Sequence, residues 1–333
     1  MTYRVWFEWL LPADLMAMLD GLATVAGPAT DTPATPFVGL PGAHAAIASG
    51  LRYDAAMMDL APELLVISRT GIGYDNVDVA AATARGIAVC NTPDGPTTST
   101  AEHTFALLLA VAKKLKRCDT DIRSLGGRRD YYRLHEGLEL LGTTLGLVGL
   151  GRIGGSVARF ARAFGMQVIA YDPFISDEAA RALEVERVPT LEALLPRADV
   201  ISLHLPLLPE TRKVMNAARF ALMKPGALFI NAARGGLVDE AALIEALVAG
   251  RLGGAGLDVT DPEPPDASNP LLARDDVIVT PHIASATGVG KRRIQDRALS
   301  QVVEVLRGER PPHLINTEVW PRVLARRAAL SSR

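Results

Sequence analysis

Read for the spacing of its apolar positions, the chain divides into two kinds of pattern. Through the first ninety or so residues, short apolar runs at 3–7, 64–67 and 87–90 alternate with alanine-rich stretches of helical character, the signature of a small α/β unit. Residues 30–41, rich in Thr, Pro and Gly, read as a loop, and Asp94-Gly95-Pro96 is a second breaker. Beyond it, Ser99 and Glu102 stand three apart in the spacing of a capping box, which predicts a helix beginning at about Thr100. Phe105, Leu108, Leu109, Ala112 and Leu115 give that helix one apolar stripe. The basic run that follows, Lys113, Lys114, Lys116 and Arg117, reads as a solvated terminus. From residue 144 onward the pattern becomes regular. Strand candidates at 144–148, 167–171, 200–203, 227–231, 255–258 and 277–280 are separated by helical stretches or loops. Strict alternation of strand and helix predicts a parallel sheet with right-handed crossovers and helices on both faces. Ligands of such sheets bind at the carboxyl ends of the strands, which directs attention to the residues just after each one.

Composition adjusts this picture only in part. A length of 333 residues exceeds the usual single domain, so two domains with separate cores are expected. With 49% hydrophobic and 22% charged residues the chain is globular in type, and a formal charge of −2 gives no general attraction to nucleic acid or anionic lipid. The first eleven residues are apolar but interrupted by Arg4 and Glu8 and stopped by Pro12, so they read as a strand leading into a helix rather than a signal peptide or membrane span. Cys90 and Cys118 form neither a CxxC nor a histidine-flanked metal pattern, so no disulfide and no metal site is expected, and a reducing cytoplasm fits best.

The first chemical motif is Gly149-Leu150-Gly151-Arg152-Ile153-Gly154, a GxGxxG placed directly after one apolar strand and directly before a helix. Gly149 suits a tight turn, Gly151 lets backbone approach a pyrophosphate, and Gly154 lets helix and strand pack closely. The next strand ends in Asp172, 18 residues past Gly154, where an acid would accept from both adenosine ribose hydroxyls and repel a 2′-phosphate. Residues 173–176 hold no Arg or Lys to reverse that preference, so NAD is expected over NADP. The plain structural alternative is a glycine-rich turn between strand and helix that serves only packing.

Three polar residues follow later strands: Arg234 in NAARGG, Glu263 in DPEPP, and His282 after Thr280-Pro281. Asp239 is placed to cap the helix after Arg234. Oxidising a hydroxy acid requires a base for the alcohol proton, a cation for the carboxylate and a nicotinamide to take the hydride. An imidazole, with an ordinary pKa of about 6.5, has both protonation states within reach near neutrality. A carboxylate such as Glu263 on its other nitrogen would orient it. The guanidinium of Arg234 can grip a carboxylate with two hydrogen bonds and polarise the neighbouring carbonyl. Singly, each has a plain structural alternative: a salt bridge, a loop acid, a satisfied histidine. Their shared position at one sheet edge favours catalysis.

These motifs resemble the D-isomer-specific 2-hydroxyacid dehydrogenase family. Beyond GLGRIG and YDP, the likeness rests on TGIGYDNVD at 70–78, NTP at 91–93, HLPLLPETR at 204–212, NAARGGLVDE at 231–240, GAGLDV at 254–259 and TPHIASAT at 280–287. The resemblance implies two Rossmann-like α/β domains, in which a doubly wound, parallel NAD-binding domain at 97–285 is inserted into a smaller flavodoxin-like substrate-binding domain at 1–96 and 286–333. It implies Arg234, Glu263 and His282 as the catalytic residues. It implies Gly149, Gly151, Arg152, Ile153, Gly154, Asp172, Leu205, Ala232, Ala233, Asp258 and Ala284 as NAD contacts, and Arg69, Gly71, Ile72 and Gly73, with Arg234, as substrate contacts. A homodimer, joined partly by the helix after Ser99, is implied too. NTPDG, YDPFIS and HLPLLP look most like the phosphoglycerate dehydrogenase branch, without a regulatory domain after Leu314. Ala48, however, stands where that branch commonly has an arginine, and losing such a charge-assisted bond removes about 1.5 to 3 kcal/mol. Glyoxylate, hydroxypyruvate or a larger 2-keto acid is therefore expected, with D-3-phosphoglycerate oxidation as the alternative. An NADH-sensing corepressor-like regulator is the alternative of another class.

Overall fold

The computed structural model describes residues 2–30, 32, 34–124 and 130–332. Positions 31 and 33 of the expected 30–41 loop lie outside the described residues. The chain separates into two compact units, one formed by Met1–Pro96 with Thr287–Arg333 and the other by Thr97–Ala286.

The first unit holds strands β1 (Tyr3–Phe7), β2 (Ala23–Ala26), β3 (Ala45–Ala48), β4 (Val66–Arg69) and β5 (Ala88–Cys90). They are all parallel, in the order β2-β1-β3-β4-β5 of flavodoxin-like sheets. Period-two alternation sends Val5 and Phe7 into one apolar layer and Trp6 into the other, so both faces of the sheet are covered. The helix Gly288–Arg307 closes one of these layers with Ala298, Leu299, Val302 and Leu306. Its start is fixed by Thr287, whose hydroxyl accepts from the Gly290 amide at 2.9 Å.

The second unit holds β6 (Thr144–Val148), β7 (Gln167–Tyr171), β8 (Glu186–Arg187), β9 (Val200–Leu203), β10 (Ala227–Asn231), β11 (Leu252–Leu257) and β12 (Val277–Val279). Again all pairs are parallel, in the order β12-β11-β10-β9-β6-β7-β8. That is the doubly wound Rossmann arrangement expected from the sequence, with strand order reversing between β6 and β9. The register aligns Asn231 with Leu257 and Leu257 with Val279, so β10, β11 and β12 end together on one edge.

Several details differ from the sequence reading. The helix after the Asp94–Pro96 breaker spans Thr97–Ala112, starting directly behind Pro96. Ser99 therefore lies within the first turn and is buried, because a hydroxyl and carboxylate three apart also fit a turn already formed. The basic run is not simply solvated. Lys116 Nζ donates to the carbonyls of Leu272, Arg274 and Val277 at 3.1, 2.7 and 2.9 Å, and Lys113 Nζ to that of Leu138 at 2.9 Å. Asp239 occupies the cap position of the helix Glu240–Val248 without a side-chain capping bond, being drawn instead to Lys213 Nζ at 3.3 Å. Among the described residues, no helix is long and apolar enough to cross a membrane.

Candidate active site

The fingerprint turn explains its own glycines. Gly149 has φ of +98°, and a Cβ there would stand 2.5 Å from the His204 carbonyl oxygen; a Cβ on Gly154 would stand 2.4 Å from that of Gly149. Only hydrogen fits at either place. Gly151 caps the helix Arg152–Ala163 with no side-chain bond, and a Cβ on it would meet nothing within 4 Å. The turn thus leaves open space in front of a helix amino terminus, the arrangement that accepts a pyrophosphate on backbone amides and a partial positive charge. A dinucleotide fits this cradle. Arg152 and Ile153 lead the helix at its mouth, the first exposed and the second half-buried.

Asp172 follows the last residue of β7 and is fastened to the same turn: its carboxylate accepts from the Leu150 amide at 2.8 Å and the Phe174 amide at 2.9 Å. Each carboxylate oxygen has a second lone pair to offer a ribose hydroxyl. Residues 173–176 hold no cation, but Arg187 arrives from β8, its Nε 3.5 Å from the Asp172 carbonyl and its NH1 donating to Asp177 at 2.9 Å. A partner 15 residues away was invisible to a scan of the following tetrapeptide. Across the reversal point, Leu205 is half-buried after β9. Its neighbour His204 has its Nε2 3.0 Å from the Ser202 hydroxyl, and burial pushes the imidazole pKa down to about 4.

At the aligned ends of β10, β11 and β12, Glu263 and His282 meet: Nδ1 of His282 lies 2.6 Å from Glu263 Oε1, and both residues are exposed. This bond leaves Nε2 as the ring nitrogen facing outward chemistry. His282 has φ of +53°, a conformation held by its amide, which donates to the Asp258 carbonyl at 2.8 Å and to that of Thr280 at 3.0 Å. Arg234 stands three residues beyond β10, half-buried, with NH1 donating to the Ala233 carbonyl at 2.8 Å. Since parallel strands lie about 4.8 Å apart, Arg234 and His282 leave the sheet on exits roughly 10 Å from each other. Arginine, glutamate and histidine therefore occupy one edge of one unit.

Two residues have tasks that the sequence did not disclose. Asn231, 1% exposed, accepts from the Ala233 amide at 3.0 Å and donates to the Arg234 carbonyl at 2.8 Å, which shapes the turn through Ala232 and Ala233. Asp258, expected as a cofactor contact, has a fully buried carboxylate directed into the protein. It accepts from the Thr280 hydroxyl at 2.6 Å and from the amides of Ile283 and Ala284 at 2.9 and 2.8 Å. Burial opposes its charge, yet bonds from His103, Thr280 and the two amides outweigh that and hold the carboxyl below its usual value. Its side chain supports the loop that carries His282 and Ala284. A buried acid after a strand looks the same in sequence as an exposed one.

Arg69, Gly71, Ile72 and Gly73 belong to the other unit, at and just beyond the end of β4, and all are half-buried. Arg69 Nε donates to Asn76 Oδ1 at 3.0 Å, while Asn76 Nδ2 donates to the carbonyls of Ser49 and Leu51 at 2.9 and 2.6 Å. The Gly71 carbonyl accepts from the Thr92 amide at 2.9 Å and that of Ile72 from Asn91 Nδ2 at 2.7 Å. Beside them, the buried Glu8 accepts from three successive amides, Ser49, Gly50 and Leu51, at 2.6, 2.6 and 3.0 Å, and from the Tyr53 hydroxyl at 2.7 Å. An internal carboxylate fills this nest, so the loop at the β1/β3 reversal is set by the protein itself.

Comparison with known proteins gives a concordant result. The domain family described as D-isomer specific 2-hydroxyacid dehydrogenase, NAD binding domain, matches residues 105–284. D-3-phosphoglycerate dehydrogenase of Methanocaldococcus jannaschii is 44% identical over 276 residues, 83% of this chain and 52% of that protein. The chain thus spans about half the length of that relative. Glyoxylate reductase of Pyrococcus furiosus is 42% identical over 272 residues, covering 80% of each chain. The crystal structure of the TT0316 protein from Thermus thermophilus superposes with a TM-score of 0.86 at 41% identity, covering 94% of this chain and 99% of that one.

Proposed function

Because the chain belongs to the D-isomer specific 2-hydroxyacid dehydrogenase family, we propose that it interconverts small 2-keto acids and D-2-hydroxy acids with NAD(H). The observation that carries this reading is the 2.6 Å bond between Glu263 and His282 on the edge that Arg234 shares. A bound nicotinamide supplies the hydride in reduction and takes it back in oxidation. Arg234 grips the substrate carboxylate and polarises the adjacent carbonyl. His282 gives its Nε2 proton to the substrate carbonyl oxygen in reduction and removes the hydroxyl proton in the reverse direction. Glu263 holds the ring in the tautomer and orientation that present Nε2. The amide-lined mouth at Gly149, Gly151, Arg152, Ile153 and Gly154 takes the pyrophosphate, and Asp172 takes the adenosine ribose. Leu205, Ala232, Ala233 and Ala284, which follow strand ends on the same edge, would contact the rest of the dinucleotide. Arg69 and the Gly71, Ile72, Gly73 backbone serve the substrate.

The favoured substrates are glyoxylate, hydroxypyruvate or a larger 2-keto acid, since Ala48 withholds a cation from a phosphorylated one. A cytoplasmic homodimer without nucleic-acid or membrane partners completes the proposal. The test is oxidation of NADH by purified protein over a panel of glyoxylate, hydroxypyruvate, pyruvate, phenylpyruvate and phosphohydroxypyruvate. At least one unphosphorylated acid is expected to react, faster with NADH than with NADPH. Silence across the whole panel defeats the proposal.

A further inference from the structure

Helix Thr97–Ala112 lies against the same sheet and contributes one imidazole to the network beneath the His282 loop. His103 Nε2 is 3.0 Å from the Thr280 hydroxyl oxygen and 3.4 Å from Asp258 Oδ1. Thr280 has one hydroxyl proton, and it points at Asp258 Oδ1 at 2.6 Å, so its oxygen accepts from His103, whose Nε2 must carry a proton. Asp258 in turn accepts from the amides of Ile283 and Ala284 through its carboxylate and from the His282 amide through its carbonyl. Residues 280, 282, 283 and 284 are thus all tied to one buried acid, and His103 braces that acid and Thr280 from the helix layer.

The bracing matters because of what the loop holds. His282 sits at φ of +53°, a backbone region that non-glycine residues leave unless the surroundings hold them there. The geometry points to His103 as a positioning residue for His282, acting through Thr280 and Asp258 to keep Nε2 aimed at the substrate carbonyl. This rests on the reading of His282 as the proton donor. It assigns His103 no contact with substrate.

The experiment compares His103→Leu, His103→Gln and Thr280→Val with the unaltered protein. In His103→Leu, kcat is expected to fall at least ten-fold while NADH affinity, read by fluorescence titration, changes less than three-fold. His103→Gln keeps a donor and is expected to recover kcat to within about three-fold of the original. Thr280→Val, which breaks the same link at the loop, is expected to behave like His103→Leu. A second readout needs no turnover: the His282 ring proton resonance, assigned by its loss in His282→Asn, is expected to shift or split in His103→Leu and Thr280→Val but not in His103→Gln. Unaltered kcat and an unaltered His282 resonance in His103→Leu overturn the inference, as does a glutamine variant as impaired as leucine. If the unaltered protein reduces no acid on the panel, the proposed function fails, and the resonance alone decides whether His103 holds the loop.

Discussion

Glu263 and His282 illustrate how a residue's neighbour, more than its type, determines its chemistry. With Nδ1 bonded to a carboxylate at 2.6 Å, the ring cannot present that nitrogen to substrate, and its tautomer is settled before any ligand arrives. Replacing Glu263 with Gln keeps an acceptor but removes its charge. A charge-assisted bond exceeds a neutral one by about 1 to 2 kcal/mol, so kcat is expected to drop roughly 5- to 30-fold with NADH binding unchanged, measured by steady-state kinetics. Arg234→Lys should instead raise KM for the keto acid by about ten-fold or more, because an ammonium cannot reproduce the two-pronged grip. The three residues were legible in sequence from their places after successive strands. Asp258 and Asn231 were visible too, but their burial was not, and burial is what makes them supports for the loops on either side. Glu8 and Arg187 escaped for another reason: Glu8 meets its first partner 41 residues away and Arg187 reaches back 10 and 15 residues, beyond any local pattern.

At the scale of elements, four apolar runs were read with the right limits, at Thr144–Val148, Gln167–Tyr171, Val200–Leu203 and Ala227–Asn231, while the run at 64–67 was placed two residues before the strand Val66–Arg69. Those missed lacked that signal. Strand β3 is Ala-Ala-Ile-Ala, a composition favouring helix, and forms a strand because both faces are buried between its neighbours. Strand β8 is an exposed Glu-Arg pair at a sheet edge. The onset of β11 was hidden by two glycines after Leu252. The fingerprint element makes the sharpest prediction: Gly154→Ala forces a methyl to within 2.4 Å of the Gly149 oxygen, so the turn must open. NADH affinity is expected to fall at least ten-fold by fluorescence titration, and a stability loss of about 1 to 3 kcal/mol is expected in urea unfolding. Thr287→Ala, which removes a cap from the long returning helix, should cost about 1 kcal/mol and leave NADH binding intact.

For the whole molecule, the alternation of strand and helix foretold parallel sheets, while strand order came from packing that no single segment encodes. Parallel strands buried on both faces also tie stability to internal titratable groups. His204 is held at a pKa of about 4 against an ordinary 6.5. Between those values the unfolded chain takes up a proton that the folded chain refuses, so stability is kept above about pH 6.5 and lost as pH falls toward 4. Thermal unfolding from pH 7.5 to 5 should show this loss, and His204→Gln should make the curve flatter. The central claim, that His282 delivers the proton at an edge where NADH is already bound, is tested most directly by assaying His282→Asn beside the unaltered protein with the best acid of the panel. Turnover at least about 100-fold lower, with NADH bound as tightly as before, is the expected result. Undiminished turnover would contradict it.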